Sequence, residues 1–290
     1  MNRALVCCLA ALVAVGSTAR AEDTPSPAAQ FVADWSKRVE DSRNSQPQWL
    51  PPLNTLSPLI TQLLREDIYY QWAANGSQTL NVGANKGLFL VPAKTIEVDI
   101  GVPTFEQRYD VQPAYGLLDW QFLQIKQRLL SANKEEGNYI ATAAFAAQVP
   151  TGAKAFTNGA VVLTPSLAGG IGFGDLNVQA ATSFAIPTTN GATLGTSWAT
   201  NVTFQYQLAG IFWPEFEVNW THWLGGTQRD GKDQLFFTVG TLLGPLALTR
   251  ATAVVFGVGY QFAIAPAPQF EPVLTPAYQN AIVISARLVF

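Results

Sequence analysis

Hydrophobic and polar residues alternate along most of the chain after residue 65. In the stretch from 176 to 186, Leu176, Val178 and Phe184 fall on one parity, whereas Asn177 and Gln179 fall on the other. Successive side chains of a β-strand point to opposite faces, so a period of two predicts strands with one apolar and one polar face. The pattern predicts twelve strands, at about 65–73, 77–90, 94–103, 116–131, 138–149, 160–173, 176–186, 197–209, 214–224, 235–244, 252–264 and 278–290.

The polar faces of these strands are rich in Asn, Gln, Thr, Ser and Gly and poor in Lys and Glu. Such strands form either a β-sandwich, whose outer face is wet, or a membrane β-barrel, whose lumen is polar and whose wall is apolar. An uncharged polar face suits a lumen better than a surface in bulk water. The even strand count and the alternation of long and short connectors also favour the barrel. The predicted fold class is therefore all-β, an antiparallel transmembrane β-barrel of about 12 strands.

The last predicted strand alternates up to a final aromatic residue. Ile282 and Ile284 share one face with Phe290, and Arg287 lies on the other. An open strand edge is avoided in proteins unless the strand closes a barrel, so we expect this strand to pair with the first and to bring Arg287 near Asp67. The chain here resembles bacterial outer-membrane proteins, whose C-terminal strand ends in Phe as an assembly signal. That resemblance implies that Phe290 is recognised by the barrel assembly machinery.

The first 21 residues have the pattern of a cleaved secretory signal peptide. A positive charge near the start precedes an apolar run, and small residues follow at 19–21. The apolar run, 4–16, is too short to cross ~30 Å of hydrocarbon as a helix. Cleavage would remove Cys7 and Cys8, which are the only two cysteines. We therefore expect an exported chain without a disulfide.

Composition supports a membrane barrel. Charged residues make up 13% of the chain and the net charge is −3, whereas soluble proteins average about 25% charged residues. Low charge without a long apolar run in the mature chain is typical of strands that face lipid on one side and a lumen on the other. The acidic balance and the lack of a basic stripe argue against a nucleic-acid partner. The predicted location is the bacterial outer membrane, with lipid as the partner of the wall.

Residues 22–64 do not alternate and form a separate segment ahead of the predicted barrel, 65–290. Apolar residues at helical spacing between 30 and 43 predict a helix, and the proline-rich stretch Pro47 to Pro52 ends it. Two tryptophans and the apolar run 56–64 indicate that the segment docks on something. Two interpretations remain open: a plug inside the lumen, and a cap at the periplasmic base of the barrel.

Eight charged residues are candidates for the lumen. The strand phase turns six of them inward, and a bulge in the fourth strand would add the two from that strand. Neighbouring antiparallel strands would then set acidic residues opposite basic ones. Such a lumen is either a constriction that orients a polar solute or an internal ladder that fills a narrow barrel. The candidates are Asp67, Glu97, Asp99, Lys126, Arg128, Glu215, Glu217 and Arg287.

Catalytic, metal and cofactor sites find little support. His222 is the single histidine, it lies between two tryptophans, and no serine is near it in the sequence. A barrel lipid hydrolase would need a Ser–His pair, so His222 is better interpreted as an interface residue. No metal-ligand or cofactor-binding pattern occurs. Aromatics near the strand ends predict two interfacial girdles: Tyr70, Trp72, Trp120, Phe122, Trp198, Phe212, Trp213, Trp220, Trp223 and Phe290.

Three short motifs resemble a family of barrel transporters of the phenol-degradation MetA pathway. They are the Pro47 to Pro52 stretch, the pair Tyr69-Tyr70, and the junction 149–152, which reads Val-Pro-Thr-Gly. The resemblance implies passive passage of small, aromatic or apolar solutes across the outer membrane. The alternatives are a structural or surface-interaction barrel without an open pore and, more remotely, the lipid hydrolase.

Overall fold

A computed structural model of the protein describes residues 26–266 and 273–290. The predicted leader, 1–21, and residues 267–272 of the connector between the last two predicted strands lie outside the described residues. The chain divides into two compact units, Met1–Ser36 and Lys37–Phe290. In the described part of the first unit, the chain is helical, and the rings of Phe31 and Trp35 lie 5.9 Å apart.

The described residues form two helices and fifteen strand segments. The helices are α1 (Pro27–Asn44) and the short α2 (Gly191–Leu194). The strands are β1 (Leu63–Trp72), β2 (Gln78–Val82), β3 (Gly87–Ala93), β4 (Ile96–Gly101), β5 (Phe105–Tyr109), β6 (Ala114–Leu117), β7 (Trp120–Ala132), β8 (Tyr139–Val149), β9 (Val162–Phe173), β10 (Leu176–Pro187), β11 (Ser197–Tyr206), β12 (Phe212–Trp223), β13 (Asp233–Ala247), β14 (Ala253–Ala265) and β15 (Asn280–Val289).

Twelve of these strands form a closed antiparallel ring. Each pairs with its neighbours in chain order, and β15 pairs with β1 from Leu63↔Val289 to Trp72↔Asn280. The other three segments, β2, β5 and β6, extend the wall beside β1 as an additional flap. The predicted all-β transmembrane barrel with twelve strands is confirmed. Ring closure leaves no open edge, because the two terminal strands share a full ladder.

The wall differs from prediction on the side of the first four strands. The predicted strands end at 103 and resume at 116, which leaves a connector between them, but this stretch holds β5 and the start of β6. The chain breaks between β2 and β3, between β4 and β5, and between β6 and β7, where residues leave the ladder. Alternation continues on both sides of each break, so the sequence pattern alone does not separate a break within a strand from a loop.

The outer wall is apolar and the inner wall is polar. On β14, Phe256 and Val258 are half-exposed on the outside, whereas Gly257 between them faces the lumen. On β15, Ile284 is 52% exposed and the adjacent Ser285 is fully buried. A soluble protein has the reverse arrangement. A closed barrel with this wall is a transmembrane barrel of the type found in the bacterial outer membrane, because the strands of the ring pair with one another all the way round and leave no open edge. None of the helices in the described ranges is long and apolar enough to cross a membrane.

Two tryptophans depart from the girdle prediction. Trp213 and Trp223 are each 2% exposed, and the indole of Trp213 donates a hydrogen bond of 3.0 Å to the carbonyl of Gly244. Trp213 belongs to the apolar cluster inside the barrel. Both residues share the inward parity of Glu215 and Glu217, so the phase of β12 already contained this information.

Candidate functional site in the barrel lumen

Residues 45–62 run through the interior of the barrel, and we call them the inner segment. They contain no helix or strand, which is consistent with the four prolines in this stretch. Leu53, Leu59 and Ile60 are at most 2% exposed. A buried backbone without secondary structure must find other hydrogen-bond partners. The charged residues of the lumen supply many of them.

Two arginines bind the carbonyl side of the inner segment. Arg65 on β1 donates to the carbonyls of Pro52 (3.1 Å) and Leu53, and its guanidinium also pairs with Asp67 at 2.7 Å. Arg287 on β15 donates to the carbonyls of Pro51 and Pro52, the latter at 3.1 Å. Proline has a carbonyl acceptor and no N–H group. The arginines therefore meet a stretch of backbone that offers acceptors and has no competing donor at two successive residues.

Two glutamates on β12 bind the N–H side. Glu215 accepts from the backbone N–H of Leu53 at 3.0 Å. Glu217, which is fully buried, accepts from the N–H groups of Asn54 (2.8 Å) and Thr55 (2.7 Å) and from the Thr55 hydroxyl (2.6 Å). Hydrogen bonds to a charged acceptor are about twice as strong as neutral ones. The bend at 51–55 is thus held between guanidinium groups on β1 and β15 and carboxyl groups on β12.

A second ion pair binds the C-terminal part of the inner segment, at residues 59–61. Lys126 and Glu97, direct neighbours on β7 and β4, pair at 2.6 Å. The Lys126 ammonium also donates to the carbonyl of Leu59 at 2.9 Å, and Glu97 accepts from the N–H and hydroxyl of Thr61. A register shift between 121 and 123 in β7 accompanies the inward position of Lys126. Asp99 is opposite Gln124 and accepts a hydrogen bond from its amide.

Arg128 binds the chain where it enters the barrel. Its guanidinium donates to the carbonyl of Ser42 (2.9 Å), the hydroxyl of Ser45 (2.9 Å) and the carbonyl of Lys94 (2.8 Å). Lys94 lies in the short turn between β3 and β4, so this end of the barrel carries the short turns, the start of β1 and the end of β15. We call it the turn end, and the opposite end the loop end. In outer-membrane barrels, short turns face the periplasm.

Glycines on the inner wall make room for bulky side chains of the inner segment. A Cβ atom added at Gly170 would lie 2.7 Å from the indole of Trp49. A Cβ atom added at Gly240 or Gly259 would lie 2.7 Å from a methyl group of Leu53. Distances under 3.0 Å between such atoms do not occur without displacement. Leu53 and Trp49 therefore fit into recesses that exist because these wall positions lack side chains.

A cavity of about 290 Å³ lies between the bend of the inner segment and the loop end. Amide side chains dominate its lining, together with tyrosine and phenylalanine rings, and none of its described lining residues is charged. The lining comprises Asn54, Tyr69, Gln71, Asn81, Ala84, Ala199, Asn201, Asn219, Thr221, Gln234, Phe236, Gln261, Pro276 and Tyr278. The inner segment contributes Asn54, whose amide donates to Thr238 at 3.0 Å and accepts from the Tyr69 hydroxyl.

The structure thus places all eight candidate lumen residues on the inner wall, each at most 5% exposed. Seven of them bind the inner segment or its neighbours in the wall through the contacts above, and Asp67 is paired with Arg65. The pairing brings Arg287 near Asp67, as expected: the two are diagonal neighbours, with Arg65 directly opposite Arg287 and Ser285 directly opposite Asp67. Arg65 is a lumen residue that the predicted set does not contain. Its parity in β1 is the same as that of Asp67, so the alternation in the sequence already indicated an inward side chain.

His222 lies outside this network. Its Nδ1 atom is 3.0 Å from the carboxylate of Asp233, which also accepts from the indole of Trp220. The imidazole stacks on Trp220 with 5.9 Å between ring centroids. No hydroxyl nucleophile is bonded to His222 among the described hydrogen bonds, and no group of three or more metal-ligating side chains is found in residues 26–266 and 273–290. The arrangement is that of an aromatic interfacial cluster.

The fold is similar to that of solved outer-membrane proteins. An outer membrane channel from Pseudomonas putida F1 has a TM-score of 0.50 and 13% sequence identity, over 83% of this chain and 100% of that chain. The NanC porin has a TM-score of 0.48 and 7% identity, over 78% of this chain and 98% of that chain. No protein-family model and no curated protein matches the sequence. Likeness at such identities shows the outer-membrane barrel fold, and the resemblance to phenol-degradation transporters stays a prediction.

Proposed function

We propose that the protein is a channel for small solutes in the bacterial outer membrane, and that the inner segment is its plug. The observation that carries the proposal is the composition of the lumen. A polar cavity with room for a small solute lies directly above a segment that the wall holds by side-chain hydrogen bonds. A purely structural lumen would be better stabilised by continuous apolar packing, because buried charges contribute little net stability.

The inner segment is attached in a way that permits displacement. Most of its bonds to the wall end on a side chain, such as Glu217 to Thr55 or Lys126 to Leu59. The backbone contact with the ladder is at its very end, between Gln62 and Phe290. The wall can therefore release residues 46–60 without losing a strand pair. Charged groups that bind the segment when it is docked would line the open lumen once it moved, and would orient a polar solute there.

The resemblance and the cavity both bear on the class of solute. The resemblance to phenol-degradation transporters implies aromatic or apolar solutes, and Tyr69, Phe236 and Tyr278 offer ring faces in the cavity. The cavity volume of about 290 Å³ is at the low end of the range for ligand pockets, which favours a small solute. Passage would be passive, as the same resemblance implies.

A closed structural barrel is the second candidate, and one observation favours it. Trp49, Leu53 and Leu59 of the inner segment belong to the main apolar cluster, together with Trp213 and Leu242 of the wall. If these contacts hold the segment permanently, the lumen never conducts and the external loops carry the function.

Conductance in planar bilayers separates the two candidates. We expect the full-length protein to show rare, brief openings, and the double variant Glu215→Gln, Glu217→Gln to open more often, because the N–H side of the bend loses its carboxyl acceptors. The variant Asp119→Asn is the matched control, since Asp119 is buried, accepts from the N–H groups of Gly152 and Asn158, and has no described contact with the inner segment. Absence of openings in the wild type and in the double variant would leave the structural barrel as the function.

We further propose that the barrel assembly machinery recognises the last strand through Phe290. This residue is 37% exposed at the turn end, and its backbone is bonded to Gln62. The phenyl group of Phe290 therefore lies on the outer surface, at the end of the barrel that faces the periplasm in proteins of this fold.

A further inference from the structure

Two amide side chains that line the cavity at the loop end each have a buried atom without a hydrogen-bond partner. Asn81 is 8% exposed, its Nδ2 atom donates to Glu106 at 3.3 Å, and its Oδ1 atom has no hydrogen bond. Asn219 accepts from Gln261 at 3.3 Å through Oδ1, which leaves its buried Nδ2 without a partner. Buried polar groups are rarely left unsatisfied, and each such group needs an explanation.

The two free atoms are complementary to a hydroxyl-bearing ligand. Asn81 Oδ1 is an acceptor and Asn219 Nδ2 is a donor, whereas a hydroxyl group can both donate and accept. Five further amide side chains surround the same space, from Asn54 on the inner segment to Gln71, Asn201, Gln234 and Gln261 on the wall. A solute with several hydroxyl groups can therefore be bonded from many sides at once.

Charge and shape restrict the solute further. None of the described lining residues is charged, so an ion would lose its hydration without gaining a counter-charge. An apolar solute would displace water from the amides and offer them no hydrogen bond. The binding free energy would then include the full desolvation cost of each unpaired amide. The rings of Phe236 and Tyr278, with centroids 5.3 Å apart, offer an apolar face beside the amides. A ring with hydroxyl groups at its rim and C–H groups on its face satisfies both features.

We propose that this cavity is a binding site for a neutral polyhydroxylated ring of about monosaccharide size, with Asn81 and Asn219 as its polar anchors. The inference names a solute class for the channel proposed above and rests on that function for its biological meaning. It also differs from the aromatic or apolar class that the family resemblance implies. Because Asn54 lines the site, an occupied site touches the inner segment directly.

Saturation-transfer NMR on the full-length protein in detergent tests the binding without any transport. The probes are glucose, gluconate, glucosamine and toluene, which separate a neutral polyol from an anion, a cation and an apolar ring. We expect saturable binding of glucose, with affinity at least about fivefold lower in Asn219→Leu and in Asn81→Leu. The control Gln127→Leu should bind glucose like the wild type, since Gln127 lies at the turn end and bonds to Thr95.

A second variant keeps the test valid if the leucine variants fold poorly. Asn219→Asp has nearly the same shape, replaces the free donor with a carboxylate, and should raise the affinity for glucosamine relative to glucose. Preference for toluene or gluconate over glucose, no binding of any probe, or an unchanged glucose affinity in the Asn219 variants would overturn the site. Binding without conductance would retain the site and reject the channel, and conductance without glucose binding would do the reverse.

Discussion

The docking of the inner segment should depend on the charge of Glu217. This side chain is fully buried and accepts four hydrogen bonds: one on Oε1 from the N–H of Asn54, and three on Oε2 from Thr55 (two) and the hydroxyl of Thr203. The variant Glu217→Gln preserves the shape but must place an NH₂ group at one of the two oxygen positions. The less costly position for the NH₂ group is that of Oε1. There, only the hydrogen bond from the N–H of Asn54 is lost, and the three hydrogen bonds to Oε2 remain.

The expected magnitude follows from that single bond. A hydrogen bond to a charged group contributes about 1.5–3 kcal/mol, and each 1.4 kcal/mol changes an equilibrium roughly tenfold. The displaced fraction of the inner segment should therefore rise about 10- to 100-fold in Glu217→Gln. The displaced state is still a minority, so a method that detects rare exposure is required.

The rate of thiol modification measures this fraction. Ser57 is 8% exposed inside the barrel, so a cysteine at position 57 reacts with a bulky thiol reagent only when the segment moves. The background carries Cys7→Ser and Cys8→Ser, which leaves one thiol. We expect the modification rate to rise by the same 10- to 100-fold in Glu217→Gln and to stay within about twofold in Asp119→Asn. Equal rates in the two variants would refute the assignment of Glu217 as an anchor of the segment.

Three further outcomes are expected. In Gly259→Val, the new side chain should displace Leu53 at a cost of about 1–3 kcal/mol, seen as a lower melting temperature; Leu53→Ala should restore part of it, and no restoration would contradict the recess. Lys126→Met leaves the buried Glu97 without its cation, which should cost about 3–5 kcal/mol; heat-modifiability on gels should fall, and the added change Glu97→Gln should recover most of the loss. Deletion of Phe290 should reduce the amount of folded barrel in the membrane, measured by protease resistance of intact cells, whereas a normal yield would exclude it as an assembly signal.

The ring of strands was predictable because its signal is local and repeated. Within each strand, a few residues are enough to show which parity is apolar, as in Leu176 to Phe184. The same alternation recurs in twelve strands. The closing pair followed from the alternation in 278–290. The breaks in the first four strands were not predictable, since residues on either side of each break keep the same alternation.

The network in the lumen was only half predictable. Strand phase placed Glu217 and Arg287 on the inner face, but their partners, Asn54 and Pro51, are separated from them by 163 and 236 residues. No local pattern encodes such contacts. A weaker signal did exist. Gly259 and its inward glycine neighbours leave a stretch of the inner wall without side chains, which indicates that a bulky side chain from another part of the chain packs there.

The two arginines at the ring closure have a consequence for the order of events in assembly. Arg65 and Arg287 are direct neighbours across the ladder that closes the ring, and both are buried. Like charges in directly opposite positions destabilise a ladder. The carbonyls of residues 51–53 lie against both guanidinium groups and offset this repulsion. We therefore expect the final zipping of β15 onto β1 to wait until residues 51–53 have been threaded inside, so that a nascent barrel remains unsealed until its interior is occupied.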